Sequence, residues 1–147
     1  MTVDETIELV KRLMAGQKDF RDRDGYIHDL EVMGLLPPDA SDTEKKAAVL
    51  HGVLDAKAAT EHDLFAAGVE PDVIAIVNLV SNGPNVRGYA AYVQKCRDIV
   101  TSGNVSAMRI KLADMLAKPG HPTNNYDETI LIMQEGLATQ SGTHHRR

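Results

Sequence analysis

Histidine and aspartate side chains are the groups of this chain that could bind a metal ion or move a proton. The sequence holds six histidines and one cysteine, Cys96. His51 lies at helical spacing from Ala47 and Leu54, which turns its ring toward the protein interior. A buried imidazole needs a partner for each ring nitrogen, either an ordinary hydrogen-bonding group or a metal ion. The sequence leaves both interpretations of His51 open.

Two further residues could take part in a site. His28 precedes Asp29 on a predicted helix, where it either bonds locally or binds a ligand. Asp114 lies between Lys111 and Lys118, a spacing that is typical of a solvated row of ion pairs on a helix. The chain has no phosphate-binding glycine loop and no nucleophile elbow. Residue types alone therefore indicate two or three candidate metal ligands.

Composition limits the class of protein. The chain of 147 residues has a net charge of -5 and 43% hydrophobic residues, which fits one folded domain. One cysteine excludes a disulfide framework and a cysteine-based zinc site, so we expect a cytoplasmic protein. The acidic balance argues against nucleic acid or an anionic membrane as partner. The sequence shows neither a signal peptide nor an apolar run of about 20 residues, the length of a membrane span.

The apolar spacing is helical nearly throughout and predicts one all-α domain of about eight helices over residues 1–137. Capping boxes at Thr2–Glu5 and Ser41–Glu44 begin two of the helices. The second of these is predicted to run through Leu54, which would place Asp55 one turn from His51. Residues 138–147 are predicted to form a flexible polar tail.

The later helices are predicted from the same spacing. The segment after Pro71 is the most apolar and is expected to be the central helix. Further helices are predicted over residues 88–100, 104–118 and 127–136, with Tyr89 and Leu116 among the inner positions.

Five segments follow one another in the order and at the separations of a known family. They are residues 14–19 together with 26–28, then 47–56, 60–64, 89–93 and 110–115. The second reads AAVLHGVLDA and the last reads IKLADM. Together they make the chain resemble the HD-domain (p)ppGpp hydrolases of the RelA and SpoT type. The resemblance implies an HD-like all-α fold and a metal-dependent phosphohydrolase activity.

The resemblance also implies a site with a divalent ion, in the first place Mn²⁺. Asp55 would accept the proton of the attacking water. Gly52 stands where the family has a further aspartate ligand, and Ala56 stands where it has a second catalytic carboxylate. We therefore expect weakened metal affinity, because hard ions depend on carboxylate oxygens. The implied metal ligands are His28, His51 and Asp114.

These departures leave several functions open. One is a phosphohydrolase of phosphate esters or diphosphates with a weakened metal site. Another is a non-catalytic module, a pseudoenzyme that binds a phosphate, a nucleotide or another protein. A third is a pocket adapted to chemistry without a metal. In the first two, the expected partner is a small phosphorylated or nucleotide ligand, held by Lys18, Arg21 and Lys118.

Overall fold

The computed structural model describes residues 1–118 and 126–145, and this part of the chain is built from helices. Apart from an isolated bridge between Lys18 and Asp24, its described residues form no β structure. None of the helices in these two stretches combines the length and apolarity needed to cross a membrane. The prediction of an all-α fold with about eight helices is confirmed. The helices are α1 Val3–Leu13, α2 Gly25–Gly34, α3 Asp42–Leu50, α4 Glu61–Ala66, α5 Pro71–Val80, α6 Tyr89–Ser102, α7 Val105–Leu116 and α8 Asp127–His145.

The capping residues begin helices where they were predicted. At the start of α1, Glu5 N–H donates to Thr2 Oγ1 at 3.0 Å and Thr2 N–H donates to Glu5 Oε1 at 2.8 Å. The box predicted at Ser41 is only half formed. Ser41 Oγ accepts from Glu44 N–H at 3.1 Å, but the Glu44 carboxylate accepts from Ser106 Oγ at 2.7 Å. Glu44 thus joins α3 to α7 because a distant hydroxyl replaces the local partner.

Helix α7 lies at the centre of the fold. It packs against α2, α3, α5, α6 and α8, whereas α5 packs against α3, α4 and α7. The prediction that α5 is central is wrong, although its apolar residues are buried. Apolar content reports that a helix is covered, but it does not report how many neighbours cover it.

One aromatic and one aliphatic residue that were predicted to face the interior lie on the surface. Tyr89 is 54% exposed and Leu116 is 46% exposed. Helical spacing admits neighbouring residues to the same face, and packing against α8 and α2 selects a face of α7 that excludes Leu116. The face of α7 that is buried includes Met108, Ile110 and Met115.

Helix α3 ends at Leu50, before the residues predicted to continue it. Residues 51–57 form turns. The prediction that His51 and Asp55 share one helical face is therefore wrong. The His51 ring nitrogen Nδ1 bonds to the Ala48 carbonyl oxygen at 2.7 Å. A side chain that donates to a carbonyl oxygen in the last turn of a helix takes the place of the backbone N–H that would continue the helix. The His51 ring therefore helps to end α3.

Helix α8 continues through Gly136, where the sequence predicted its end, and reaches His145. Residues 138–145 of the segment predicted as a flexible tail therefore lie in this helix, and residues 146–147 lie outside the described residues. A Cβ atom at position 136 would lie 2.8 Å from Val100 Cγ2 and 3.0 Å from Val100 Cγ1. Glycine is present here because α8 approaches α6 closely, and not because it ends the helix.

We predict that Gly136→Ala destabilises the protein. Alanine normally stabilises a helix relative to glycine by up to about 1 kcal/mol, but overpacking against the branched Val100 side chain typically costs about 1–3 kcal/mol. Urea unfolding followed by circular dichroism measures the free energy of unfolding. Gly34→Ala is the matched control, because Gly34 is also helical and nothing lies within 4 Å of its added Cβ. Equal effects of the two substitutions would contradict the close-approach explanation.

Candidate metal centre

Three elements bring His28, His51 and Asp114 together. His28 lies on α2, His51 directly follows α3, and Asp114 lies on α7. Their ligand atoms all lie within 4.8 Å of one another. The three residues are buried, with exposed fractions of 7%, 9% and 7%. Residues distant in sequence therefore form one cluster of potential metal ligands, as the resemblance implied.

The Asp114 carboxylate is the common partner of both imidazoles. His28 Nε2 lies 2.7 Å from Asp114 Oδ1, and His51 Nε2 lies 3.4 Å from the same oxygen. Because a carbonyl only accepts, the bond to Ala48 O places a proton on His51 Nδ1. In neutral His51, Nε2 is therefore the nitrogen whose lone pair is available to a metal.

Burial and the cluster's own charges set its protonation. Burial opposes ionisation of Asp114, but hydrogen bonds from His28 and His51 and the positive charges of His51 and Lys118 hold its pKa well below the usual range. Burial lowers the pKa of His28 against the opposing effect of Asp114, which favours the neutral imidazole that a metal requires. Burial alone would lower the pKa of His51, but Asp114 and Asp29 raise it overall.

The sequence did not single out Asp29, yet its carboxylate belongs to the site. Its Oδ1 lies 3.4 Å from His51 Nδ1, and the residue is only 2% exposed. Burial raises its pKa to about 6; His51 opposes this rise and the charge of Asp114 adds to it. The available signal was its position directly after His28, for which the sequence left a local bond and ligand binding both open.

A cavity of about 290 Å³ opens beside the cluster. Lys111 and Lys118 line it, so the side of α7 that carries Asp114 faces the cavity and not the outer surface of the protein. Lys111 is only 3% exposed, and its ammonium bonds to Val80 O at 3.2 Å and Asn82 Oδ1 at 3.0 Å. Lys118 Nζ lies 3.3 Å from Asp114 Oδ1. Lys111 and Asp114 are buried because other helices surround α7, whereas Lys118 is partly exposed.

The structure brings Lys18 and Asp55 to the same cavity, but Arg21 is not among its lining residues. Lys18 Nζ lies 3.5 Å from Asp24 Oδ1, and the Arg21 guanidinium lies over the Phe20 ring at 5.2 Å. Both oxygens of Asp55 accept backbone N–H groups, those of residues 82 and 83, at 3.0 Å. Asp55 therefore anchors the loop after α5. Each of its oxygens keeps a lone pair for a further bond.

The donor set fits a divalent transition-metal ion. Two imidazoles and a carboxylate are ligands that such ions accept together, with coordination positions left open. Two buried atoms beside the cavity, His28 Nδ1 and Asp29 Oδ2, have no hydrogen-bond partner within residues 1–118 and 126–145. Unpartnered buried polar atoms are uncommon in proteins and often mark a functional site.

Comparison with known proteins does not identify the chain. It matches no known protein family and no curated protein. The resemblance to HD-domain hydrolases therefore remains a prediction from five short segments, and the function has to be argued from the site.

One acidic residue organises the loop that carries Lys18. The Asp19 side chain accepts hydrogen bonds at 2.9 Å from the backbone N–H groups of Arg21 and Arg23 and from Arg23 Nε. Burial opposes its ionisation, but these backbone and side-chain donors lower the pKa of Asp19 overall. An ionised Asp19 therefore stabilises the folded loop.

We predict that Asp19→Asn lowers the free energy of unfolding by about 1–3 kcal/mol at neutral pH, since hydrogen bonds to a charged group are lost. The folded-state pKa lies below the ordinary 3.8, so this contribution is present above that pH and is lost as the pH falls through the lowered value. Urea unfolding at neutral pH and at about pH 2.5 measures the difference between variant and wild type.

Asp22→Asn is the matched control, because Asp22 is exposed in the same loop and its backbone φ of 60° suits asparagine. We expect little change from it at either pH. A defect of Asp19→Asn that is equally large in acid would show that the carboxylate charge is not the cause.

Proposed function

We propose that the chain is a divergent HD-domain phosphohydrolase that uses a divalent metal ion to hydrolyse a small phosphorylated nucleotide of the (p)ppGpp kind. The observation that carries this proposal is the buried convergence of His28, His51 and Asp114 beside a cavity. Such a ligand set leaves coordination positions open for water and substrate, as catalytic metal sites require.

The charges around the cavity support a phosphorylated substrate. Lys18, Lys111 and Lys118 line it, together with the four aspartates Asp19, Asp29, Asp55 and Asp114. Ammonium groups are common phosphate binders and act as point charges. A divalent ion held by the carboxylates would offset their charge, and the ammonium groups could then bind phosphate oxygens.

The residues would divide the work as follows. A bound divalent ion would polarise a phosphate oxygen and make a bound water more acidic. The lowered pKa values of Asp114 and His28 favour the forms that ligation needs, whereas the raised pKa of His51 means that a bound ion would have to displace a proton from its ring. Lys118 would bind phosphate. Asp55 lines the cavity and would accept a proton through its remaining lone pairs.

A second candidate is a non-catalytic phosphate- or nucleotide-binding module. The observation that favours it is the contact of 3.3 Å between Lys118 Nζ and Asp114 Oδ1. An ammonium group at a ligand oxygen repels a cation and attracts a phosphate. Ala56 also supplies no second carboxylate for the water, as the sequence indicated.

We predict Mn²⁺-dependent hydrolysis of ppGpp or of a nucleoside di- or triphosphate by the purified protein. His51→Ala and Asp114→Asn each remove a proposed ligand and should lower the rate by about 100-fold or more, because the activated water is lost with the metal. His62→Ala should not alter the rate, because His62 is an exposed residue of α4 outside the cluster. Release of phosphate or diphosphate is measured by chromatography.

The result that would contradict the hydrolase is absence of turnover for all these substrates at saturating Mn²⁺. Binding of the same nucleotides without turnover would then support the second candidate. Equal rates with and without a chelator would contradict the role of the metal and would favour chemistry without one.

We also predict that Lys118→Met changes the affinity for Mn²⁺ and the affinity for phosphate in opposite directions. Mn²⁺ should bind more tightly by roughly 10-fold, or about 1.4 kcal/mol, because the positive charge of Lys118 repels the cation and is partly screened by solvent. Phosphate or nucleotide should bind more weakly. Calorimetric titration with each ligand separately measures both effects.

Lys45→Met removes the same charge from α3 outside the cavity and is the control. It should change neither affinity. If Lys118→Met weakened the binding of both Mn²⁺ and phosphate, the substitution would be disturbing the site as a whole. That result would contradict a direct contact of Lys118 with phosphate.

A further inference from the structure

Asp29 places a second buried carboxylate beside the proposed metal centre, outside the group of three residues whose ligand atoms lie within 4.8 Å of one another. It directly follows His28 on α2 and lines the same cavity as the three proposed ligands. Its Oδ2 atom is buried and has no hydrogen-bond partner among the described residues. A carboxylate in the interior is costly unless it is paired or coordinates a metal.

Gly52 shows why the carboxylate has room at this place. A Cβ atom at position 52 would lie 3.1 Å from Asp29 Oδ1, closer than ordinary van der Waals contact. The backbone at Gly52 is not in the left-handed region, so its conformation does not require glycine. Glycine is needed for space, because the Asp29 carboxylate occupies the volume into which a side chain at position 52 would extend.

A role limited to orienting His51 does not account for this arrangement. His51 Nδ1 already bonds to Ala48 O at 2.7 Å, whereas Asp29 Oδ1 lies 3.4 Å from the same nitrogen. The shorter bond holds the ring without help from Asp29. The orienting role would also leave Asp29 Oδ2 buried and unpaired.

We propose that the Asp29 side chain turns when the metal ion binds and becomes its fourth ligand, taking the place that a carboxylate at position 52 would otherwise fill. This inference rests on the metal site of the proposed function. With His28, His51 and Asp114, Asp29 gives a set of two imidazoles and two carboxylates. Two anionic ligands balance the charge of a divalent ion and suit a hard ion such as Mn²⁺.

The test is a carboxylate exchange between positions 29 and 52. Mn²⁺ affinity is measured by calorimetric titration of metal-free wild type, Asp29→Ala, Gly52→Asp and the double variant. Asp29→Ala should weaken Mn²⁺ binding by about 10- to 100-fold or more. Substituting a residue that only hydrogen-bonds to a metal ligand can cause a loss of similar size, so affinity alone does not define the role of Asp29. Gly52→Asp alone should bring no gain, because its side chain meets Asp29. The double variant should recover affinity to within a few-fold of wild type.

A spectroscopic measurement separates a ligand from an orienting residue. In the Co²⁺-substituted protein, Asp29→Asn should alter the visible absorption spectrum, because replacing a ligand oxygen changes the metal's coordination. Asp29→Asn also keeps the shape of the side chain, so it serves if Asp29→Ala fails to fold. Asp98→Ala removes an exposed carboxylate of α6 and should leave Mn²⁺ affinity and the spectrum unchanged.

Two results would overturn the inference. One is wild-type Mn²⁺ affinity in Asp29→Ala or Asp29→Asn. The other is a combination of two observations. Asp29→Ala binds Mn²⁺ more weakly and adding Gly52→Asp does not restore the affinity, while Asp29→Asn leaves the Co²⁺ spectrum unchanged. A wild type that binds no divalent ion would overturn both this inference and the proposed function. Metal binding with the expected variant pattern but without hydrolysis would remove only the proposed function.

Discussion

The ionised carboxylate of Asp114 in the protein interior is the constraint on which the site depends. A buried charge is tolerated only with partners, and here they are His28, His51 and Lys118. The two histidines come from α2 and from the end of α3, so these elements must meet α7 at this point. The same demand explains why α7, with its polar residues, lies at the centre, and why the more apolar α5 does not.

The cavity is held open by polar bonds that join distant segments. Lys111 binds the end of α5 through Val80 O and the following loop through Asn82. Asp55 binds the same loop through the backbone N–H groups of residues 82 and 83. A charged residue on each side therefore fixes the loop beside the ligand cluster. This arrangement keeps the Lys111 ammonium group and the Asp55 carboxylate at the wall of the cavity.

Two positions require glycine because there is no space for a side chain, and not because of the backbone conformation. Gly136 lets α8 approach Val100, and Gly52 leaves volume for the Asp29 carboxylate. A local rule predicted that Gly136 ends a helix, and the family resemblance implied that Gly52 stands where a ligand is missing. In the fold, each glycine is explained by a residue from another part of the chain.

The all-α class and the starts of the helices at Thr2 and Ser41 were predicted from local rules that operate within a few residues. A pattern of short segments also predicted three residues that the fold brings together, His28, His51 and Asp114. The burial of Lys111, the end of α3 at Leu50, the continuation of α8 and the position of Asp29 beside the cavity depend on packing between distant segments. Helical spacing defines faces, but the partners that cover a face or pair a buried charge come from distant residues, and a local pattern carries no information about them.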